Sequence, residues 1–299
     1  MNKKILYWYK KYTPKLFQKG IKKIIPSWIE YIKLDWVSNK NIDFSGHGEM
    51  QAIKNFLRSD DKQINFFVDV GASDGVSSSS TLEFAKDTNW SGLSIEFDKK
   101  KFSKMKYVYR KYNNIKLDNS KVTPENVRNL FDHYSVPKSP TFINIDIDSY
   151  DLDVVISIFD AGYFPDIVSI EINEKIPPPI YFKVLYHKDH FWKEDHFYGC
   201  SITAAEKEFS KKGYLLADLK LNNAIFINKS VFPNTKPLDT LTAYRDGYLN
   251  VPNRKNLFKY NHDVEILLSL NNPDKIKFLD NLFLEYKNIY ELKVVEDSE

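Results

Sequence analysis

Cysteine is almost absent from this chain of 299 residues, and long apolar runs are absent altogether. The single cysteine, Cys200, excludes a disulfide framework and a cysteine-rich zinc site, and it favours a reducing, cytoplasmic location. No stretch of about 18 consecutive apolar residues is present, so no segment is predicted to span a bilayer. The N-terminus also lacks the apolar core and the cleavage site of a signal peptide. What is present is a globular composition, 42% hydrophobic and 28% charged, which allows a sizeable core.

Positive charge is concentrated at the N-terminal end. Residues 1–25 hold eight lysines and no acid, a local charge of +8. The net charge of the chain is +3, so the remaining residues together carry −5. Apolar residues recur between the lysines at helical spacing, which predicts two short amphipathic helices separated near Pro14. Two interpretations stay open: this arm packs on its own domain or a second copy, or it lies peripherally on the cytoplasmic face of an anionic membrane. The acidic remainder lacks the broad basic face of nucleic-acid-binding proteins, so no nucleic-acid partner is expected.

From residue 64 onward, short apolar runs alternate with stretches of helical periodicity. This alternation predicts an α/β fold in which helices cover both faces of a parallel sheet. The last two runs are separated only by a turn at "LNN", so they are predicted to form an antiparallel hairpin after five parallel strands. The predicted strands span residues 66–70, 92–97, 115–117, 141–147, 167–172, 214–219 and 224–227.

Helical extensions are predicted on both sides of this sheet. The basic aromatic arm takes residues 1–43, the sheet domain residues 44–230, and a C-terminal extension residues 231–299. The C-terminal extension closes with a helix that has Asn272 as its predicted N-cap and Pro273 at its first position. An apolar stripe at 4-3-4 spacing would pack on the body or on a second copy, which together with the basic arm makes a homodimer an expectation. Its members are Leu279, Phe283, Tyr286 and Tyr290.

The first predicted strand ends in the turn of "VDVGASDG", in which Gly71 and Gly75 stand four residues apart. Ligands of open parallel sheets bind at the carboxyl ends of the strands, where small residues let a ligand approach the backbone. The turn does not match G-x-G-x-x-G, which weakens a dinucleotide interpretation, and no GK[ST] follows, which excludes a P-loop. By itself the pattern also fits an ordinary tight turn.

Polar residues end the four parallel strands that follow. Glu96 ends the second strand about 20 residues after the glycine turn, where a carboxylate binds ribose hydroxyls in sheets of this kind. Asp118 and Asn119 follow the third strand. The fourth and fifth strands are followed by Asp146, Asp148, Asp151, Glu171 and Asn173. Core packing does not explain polar residues at five successive strand ends, so a ligand-binding cleft is predicted there.

Taken in order, "VDVGASDG", "SIEFD", "FINIDIDSYDLDV" and "IEIN" resemble the class I S-adenosylmethionine-dependent methyltransferases, in particular the FkbM-type and related sugar methyltransferases. The resemblance covers roughly residues 44–228. It implies a Rossmann-like, seven-stranded sheet whose last strand is antiparallel, and S-adenosylmethionine as cofactor. It further implies O-methylation of a sugar or glycan acceptor in surface polysaccharide or glycolipid biosynthesis. The alternatives are another acceptor (a small metabolite, a lipid or a nucleic acid) and a non-catalytic, membrane-associated member of the fold.

The same resemblance assigns cofactor-binding residues. The methionine part of the cofactor would face Asp69 and the glycine turn, and Glu96 would hold the ribose hydroxyls. The adenine would lie by the end of the third strand, and Asp146 beside the amino group and the reacting methyl group. Many members carry a third glycine where this chain has Ser73. The residues assigned in this way are Asp69, Gly71, Ala72, Ser73, Asp74, Gly75, Glu96, Phe97, Asp118, Asn119 and Asp146.

Methyl transfer to a neutral alcohol needs the acceptor oxygen at attack distance and a base for its proton. Asp146 and Asp148 alternate along the predicted strand, so only one of them, Asp146, is expected to face the cofactor. Asp148 and Asp151 have helix capping as an alternative role. His187 and His190 belong to a dense cluster of ionisable residues and are candidate general bases, although a solvated polar loop fits the same pattern.

A divalent metal ion is a further alternative. Some sugar methyltransferases that this chain resembles bind such an ion through the ends of strands four and five. Here the corresponding set would be Asp148, Glu171 and Asn173, whose oxygens suit Mg²⁺ or Mn²⁺. In the same resemblance, residues 177–198 would form a lid or acceptor wall over the cofactor methyl group. His47, before the first strand, would either close the cleft from the other side or cap a helix.

Overall fold

The computed structural model describes residues 27–57 and 65–295, and the chain forms two units that divide between Asn41 and Ile42. In the first unit it describes one helix, α1 (Ser27–Ser38), on which Trp28 and Trp36 are exposed. The helices predicted on either side of Pro14 lie outside the described residues. Among the residues that are described, no helix is long and apolar enough to cross a membrane.

Most strands of the second unit belong to one central sheet. The strands are β1 (Phe66–Val70), β2 (Ser91–Ile95), β3 (Ile115–Asp118), β4 (Phe142–Ile145), β5 (Ile167–Glu171), β6 (Ile180–Val184), β7 (Tyr214–Lys220), β8 (Asn223–Asn228) and β9 (Tyr290–Val294). Seven of them form a sheet in the order β3-β2-β1-β4-β5-β8-β7. β1 to β5 are mutually parallel, and β8 pairs antiparallel with both β5 and β7. The predicted α/β fold, with five parallel strands and a terminal hairpin, is confirmed.

Helices connect the strands of this sheet and cover it. They are α2 (Glu49–Leu57), α3 (Leu82–Lys86), α4 (Lys99–Tyr109), α5 (Val127–His133), α6 (Asp151–Asp160) and α7 (Ile202–Ser210). The strands are added outward in two directions, from β1 towards β3 and from β4 towards β7, and the right-handed crossovers that such connections favour place helices on opposite faces of the sheet. β4 and β5 are buried along their whole length for this reason. The sheet therefore has its topological switch point between β1 and β4, where ligands bind in such folds.

The C-terminal extension is helical, but it ends in a strand. Its helices are α8 (Thr240–Tyr244), a π-helix (Arg245–Leu249), α9 (Arg254–Leu257), α10 (Asn272–Leu282) and short 3₁₀ turns at Lys259–Asn261, Glu265–Leu268 and Leu284–Tyr286. Asn271 caps α10 by accepting the N–H of Asp274, one residue before the predicted cap. The predicted helical stripe is wrong at Tyr290, because this residue lies in β9, which pairs antiparallel with β6. β6 and β9 were not predicted, since each is a short strand whose partner lies about a hundred residues away.

Candidate functional site

A cavity of about 550 Å³ lies at the carboxyl ends of β1, β2, β4 and β5. This volume is typical of small-molecule sites. Four strand ends contribute predicted residues to its wall, namely Gly71, Glu96, Asp146 and Glu171, and β3 contributes through the segment 120–122 that follows it. Polar residues from four of the five predicted strand ends thus meet around one cavity.

The turn after β1 lies directly against the end of β4. Gly71 has φ of +89°, and a Cβ atom built on it would stand 1.7 Å from the carbonyl oxygen of Asp146. The N–H of Asp146 in turn donates to the carbonyl of Val70 at 3.0 Å. Gly71, Ala72 and Ser73 line the cavity, and Ser73 has φ of +53°, the left-handed region that a glycine would favour. The wall here is mainly backbone, which leaves room for a ligand close to the chain.

Asp69 lies in β1, two residues before Gly71, and its hydrogen bonds anchor the start of this turn. Its buried carboxylate accepts the hydroxyl of Thr81 at 2.5 Å and the amide of Asn144 at 3.0 Å. Burial raises the pKa of Asp69 above its ordinary value, and the two hydrogen bonds oppose that shift. Asp69 also belongs to the cavity wall, as do Ser77–Ser80 of the serine run that leads to Thr81. The only feature of the sequence that marked these serines was their repetition.

Glu96 ties β2 to the glycine turn. Its carboxylate accepts the N–H of Ser73 at 2.8 Å and the N–H of Asp98 at 2.6 Å, one bond on each oxygen. Each carboxylate oxygen has a second lone pair, so Glu96 retains acceptor capacity for a ligand in the cavity. The next residue, Phe97, lines the cavity with half of its surface exposed, and its ring stacks on Phe191 at 6.1 Å between centroids.

Four residues that were predicted to contact the cofactor lie outside the cavity wall: Asp74, Gly75, Asp118 and Asn119. The carboxylate of Asp74 accepts backbone N–H groups two and three residues further on, and so shapes the turn. Asp118 accepts the hydroxyl of Tyr134 at 2.6 Å. The amide of Asn119 donates to the carbonyl of Glu96 at 2.7 Å. These side chains stabilise the loops behind the wall, and Ser120–Val122 occupies the wall in their place.

Three carboxyl groups converge where β4 and β5 end. Asp146, Asp148 and Glu171 each offer an oxygen within 4.8 Å of the other two. Burial raises the pKa of Asp146 and of Glu171 well above the ordinary values, and the neighbouring carboxylates add to the shift. Oε1 of Glu171 accepts the amide of Asn222 at 2.8 Å, whereas Oε2 is buried without a partner. Such a cluster favours a cation, and its oxygen donors fit Mg²⁺ or Mn²⁺.

Asn173, which was predicted as a metal ligand with Asp148 and Glu171, lies outside the cavity wall. Its amide donates to the carbonyls of His196 at 2.9 Å and Tyr198 at 3.0 Å, and the residue is fully buried behind the wall. Asp146 occupies the third position of the carboxylate set instead. Through its two hydrogen bonds Asn173 anchors the segment before α7.

The two candidate histidine bases lie in different surroundings. His190 lines the cavity, is only 6% exposed and has no partner for Nε2, and burial lowers its pKa below the ordinary value. His187 is exposed and outside the wall. Lys121 holds this segment in place by donating to the carbonyls of Lys188 at 3.0 Å and His190 at 3.4 Å. Its ammonium group also lies 4.0 Å from the ring centroid of Phe191.

Part of the wall comes from Glu49, Asn222 and Asn223, which the sequence analysis did not assign to the site. The amide of Asn223 donates to Oε1 of Glu49 at 2.9 Å, and Oε2 of Glu49 accepts the N–H of His47 at 2.6 Å. Asn222 lies in the turn between β7 and β8 and Asn223 begins β8, where the "LNN" signal had predicted only a turn. His47 lies in the wall, on the side where it was considered as a closing residue.

Only part of the predicted lid, residues 177–198, lines the cavity. β6 is buried, and residues 190–192 are the portion that reaches the wall. The C-terminal extension supports that portion from behind, because Tyr286 stacks on Phe197 at 3.9 Å and donates its hydroxyl to Asp195. Trp192 is 39% exposed and donates its indole N–H to the carbonyl of Asp195.

No protein-family model and no curated protein matches this chain. Among solved structures it is similar to an S-adenosylmethionine-dependent methyltransferase from Clostridium acetobutylicum, with 10% identity, a TM-score of 0.39, and coverage of 68% of this chain and 99% of that chain. A SAM-dependent methyltransferase from Aquifex aeolicus shows 13% identity and a TM-score of 0.37, with coverage of 66% of this chain and 94% of that chain. The N-terminal domain of EvdMO1, solved with SAH and D-fucose, shows 9% identity and a TM-score of 0.41, with coverage of 68% and 97%.

Proposed function

We propose that this chain is an S-adenosylmethionine-dependent methyltransferase that methylates a hydroxyl group of a sugar or glycan acceptor. One observation carries the proposal: the side-chain-free turn at Gly71, the carboxylate of Glu96 and the carboxylate of Asp146 converge on one cavity at the switch point of the sheet. A ligand with a hydroxyl-bearing ribose, an amino group and a small reactive centre fits such a set of contacts.

The charge of the wall supports a cationic cofactor. The wall contains two lysines, Lys101 and Lys121, and seven carboxyl groups: Glu49, Asp69, Glu96, Asp98, Asp146, Asp148 and Glu171. S-adenosylmethionine carries a sulfonium and an ammonium group against a single carboxylate, so it is a net cation. Dinucleotides and nucleoside triphosphates are anions, and the carboxylates would repel them. The wall therefore favours the sulfonium cofactor over nicotinamide or phosphate-bearing ones.

The reaction is an in-line displacement in which the acceptor oxygen forms a bond to the methyl carbon while the carbon–sulfur bond breaks. The acceptor hydroxyl gives up its proton to a base in the wall. Asp148 and His190 are the candidates, because both line the cavity and His190 has its Nε2 free of partners. Asp146, Asp148 and Glu171 would hold a Mg²⁺ or Mn²⁺ ion, which when bound lowers the pKa of a coordinated hydroxyl group.

Aromatic and amide side chains near the carboxylates support a sugar acceptor. Phe191 and Trp192 present partly exposed rings at the cavity, and Asn222 and Asn223 present amides. A sugar ring has apolar faces and a rim of hydroxyl groups, so it matches rings combined with amide and carboxylate groups. For this acceptor class we propose a role in surface polysaccharide or glycolipid biosynthesis.

Calorimetric titration of the purified chain tests the cofactor. We expect micromolar binding of S-adenosylmethionine and S-adenosylhomocysteine, with no binding of NAD. Glu96→Ala should weaken the binding of both sulfur ligands by about 2–3 kcal/mol, because a charge-assisted pair of hydrogen bonds is lost. Glu83→Gln is the control, since Glu83 lies outside the cavity wall and pairs with Lys54. Binding of NAD alone, or of none of the three ligands, would contradict the proposal.

A further inference from the structure

Five residues of the cavity wall are not among those assigned to the cofactor: His47, Glu49, Glu171, Asn222 and Asn223. We call them the acceptor wall. Two neighbouring amides join carboxyl groups of two distant elements: Asn222 donates to Glu171 at 2.8 Å, and Asn223 donates to Glu49 at 2.9 Å. The acceptor wall is therefore a connected surface rather than a set of separate side chains.

Two buried oxygen atoms in this wall have no partner. Oε2 of Glu171 is one, on a side chain whose residue is only 8% exposed, and Oδ1 of Asn222 is the other. The amide oxygen of Asn222 only accepts hydrogen bonds, and Oε2 of Glu171 accepts one when the carboxyl group is ionised. A buried acceptor without a partner costs stability, so these atoms indicate a ligand that donates hydrogen bonds. Hydroxyl groups of a sugar provide such donors.

The ionisable groups around the acceptor wall are mostly acidic. Glu49 and Glu171 belong to it, and Asp146 and Asp148 lie within 4.8 Å of Glu171. Of the lysines nearby, Lys175 is buried against Glu174 and donates to the hydroxyl of Tyr198 at 2.8 Å, so it does not line the cavity. Lys101, in α4, is the other lysine that interacts electrostatically with Asp148. It lines the cavity on the cofactor side. An anionic group of an acceptor would therefore lie near carboxyl groups, and the acceptor wall has no lysine to pair with it.

From these contacts we propose that the acceptor wall binds a sugar through its hydroxyl groups and rejects sugars that carry a carboxylate or a phosphate. This inference rests on the proposed function and names the acceptor class for it. His47, Glu49, Glu171, Asn222 and Asn223 would then be specificity-determining residues of the methyl transfer.

The test compares matched sugars on chain saturated with S-adenosylhomocysteine, in buffer that contains a chelator. The probes are the methyl glycosides of glucose, galactose and mannose, the corresponding uronates, and the hexose 6-phosphates, with binding measured by saturation-transfer NMR. We expect at least one neutral glycoside to bind, and its uronate and phosphate to bind at least about ten-fold more weakly because of like-charge repulsion. An anionic sugar that binds as tightly as its neutral counterpart overturns the inference.

Two variants sharpen this comparison. Glu171→Gln and Glu49→Gln keep an oxygen acceptor but remove a negative charge, so each should reduce the discrimination against the uronate at least three-fold. Glu83→Gln should leave it unchanged. Binding of S-adenosylhomocysteine is measured first in every variant. If the wild-type chain does not bind S-adenosylhomocysteine, the proposed function is rejected. If it binds S-adenosylhomocysteine but none of the neutral sugars, only the acceptor inference is rejected.

Discussion

At the scale of single residues, the site depends on backbone positions as much as on side chains. Gly71 is the clearest case, because its missing side chain allows the turn after β1 to touch the end of β4. Glu96 and Asp146 were found in the sequence because they end apolar runs. Glu49, Asn222 and Asn223 could not be found in that way, since Glu49 meets Asn223 only across 174 positions of sequence and no local pattern marks that contact.

Gly71→Ala should destabilise the fold by more than about 3 kcal/mol, because the new Cβ atom would overlap the carbonyl of Asp146 in addition to straining a positive φ. Gly162→Ala is the matched control. Gly162 has φ of +79° but no atom within 4 Å of its Cβ position, so only the strain of about 1–2 kcal/mol remains. Urea unfolding of both variants measures the difference, and equal losses would argue against the steric account.

Asp151 should make stability depend on pH in the acidic range. Its carboxylate accepts the N–H groups of Ile147 and Ser149, and burial raises its pKa to about 6. Between pH 4 and 6 the folded chain keeps a proton that the unfolded chain has lost, so this residue's contribution to stability falls as the pH rises. The loss is on the order of 2 kcal/mol.

Urea unfolding from pH 4 to pH 7 measures this slope in the wild type and in Asp151→Asn, which cannot titrate and should be shallower. Asp160→Asn serves as the control, because Asp160 ends the same helix on the surface and pairs with Lys212. An unchanged slope in Asp151→Asn would assign the pH dependence to other groups.

At the scale of elements, the sheet was predictable and the second, two-stranded sheet was not. β1 to β5 are apolar runs that local pattern and strand–helix alternation identify. β6 follows the prolines 177–179 and β9 follows a helix, so each resembles a loop until its partner is known. The pair of strands matters for the site, because β6 leads directly into the segment that supplies residues 190–192 of the cavity wall.

Tyr286→Ala should loosen that segment without disturbing the cofactor side of the cavity. The variant loses the ring stacked on Phe197 and the hydrogen bond to Asp195. Together these contacts stabilise the segment by on the order of 3–5 kcal/mol. Hydrogen exchange across residues 186–198 should increase at least ten-fold, while calorimetric binding of S-adenosylmethionine changes less than two-fold. Tyr260→Ala is the control, since Tyr260 is 84% exposed. Equal exchange in both variants would show that Tyr286 does not support the segment.

At the scale of the whole molecule, the chain combines a basic N-terminal region with an acidic body. We propose that this region binds peripherally to an anionic membrane and that the chain forms a homodimer. Eight lysines lie in residues 1–25, and the next described helix, α1, exposes Trp28, Ile32 and Trp36. Lysines that reach an anionic surface contribute about 1 kcal/mol each, and interfacial tryptophan favours the same location.

Deletion of residues 1–25 should reduce partitioning onto vesicles that contain phosphatidylserine by at least ten-fold and leave the affinity for S-adenosylmethionine unchanged. Neutral phosphatidylcholine vesicles are the control, to which both forms should bind equally weakly. Raising the salt from 0.1 to 0.5 M should release the full-length chain, because screening weakens the attraction. Partitioning that is the same in both forms would remove the membrane proposal.

The contact between Gly71 and the carbonyl of Asp146 joins the two halves of the cavity mechanically. A ligand that shifts the turn after β1 must shift the end of β4 with it, and with β4 the carboxylates beside the acceptor wall. We therefore expect that a ligand on one side changes the affinity of the other side, with a coupling free energy. By reciprocity, an acceptor that binds more tightly once the cofactor is present must tighten the cofactor by the same factor.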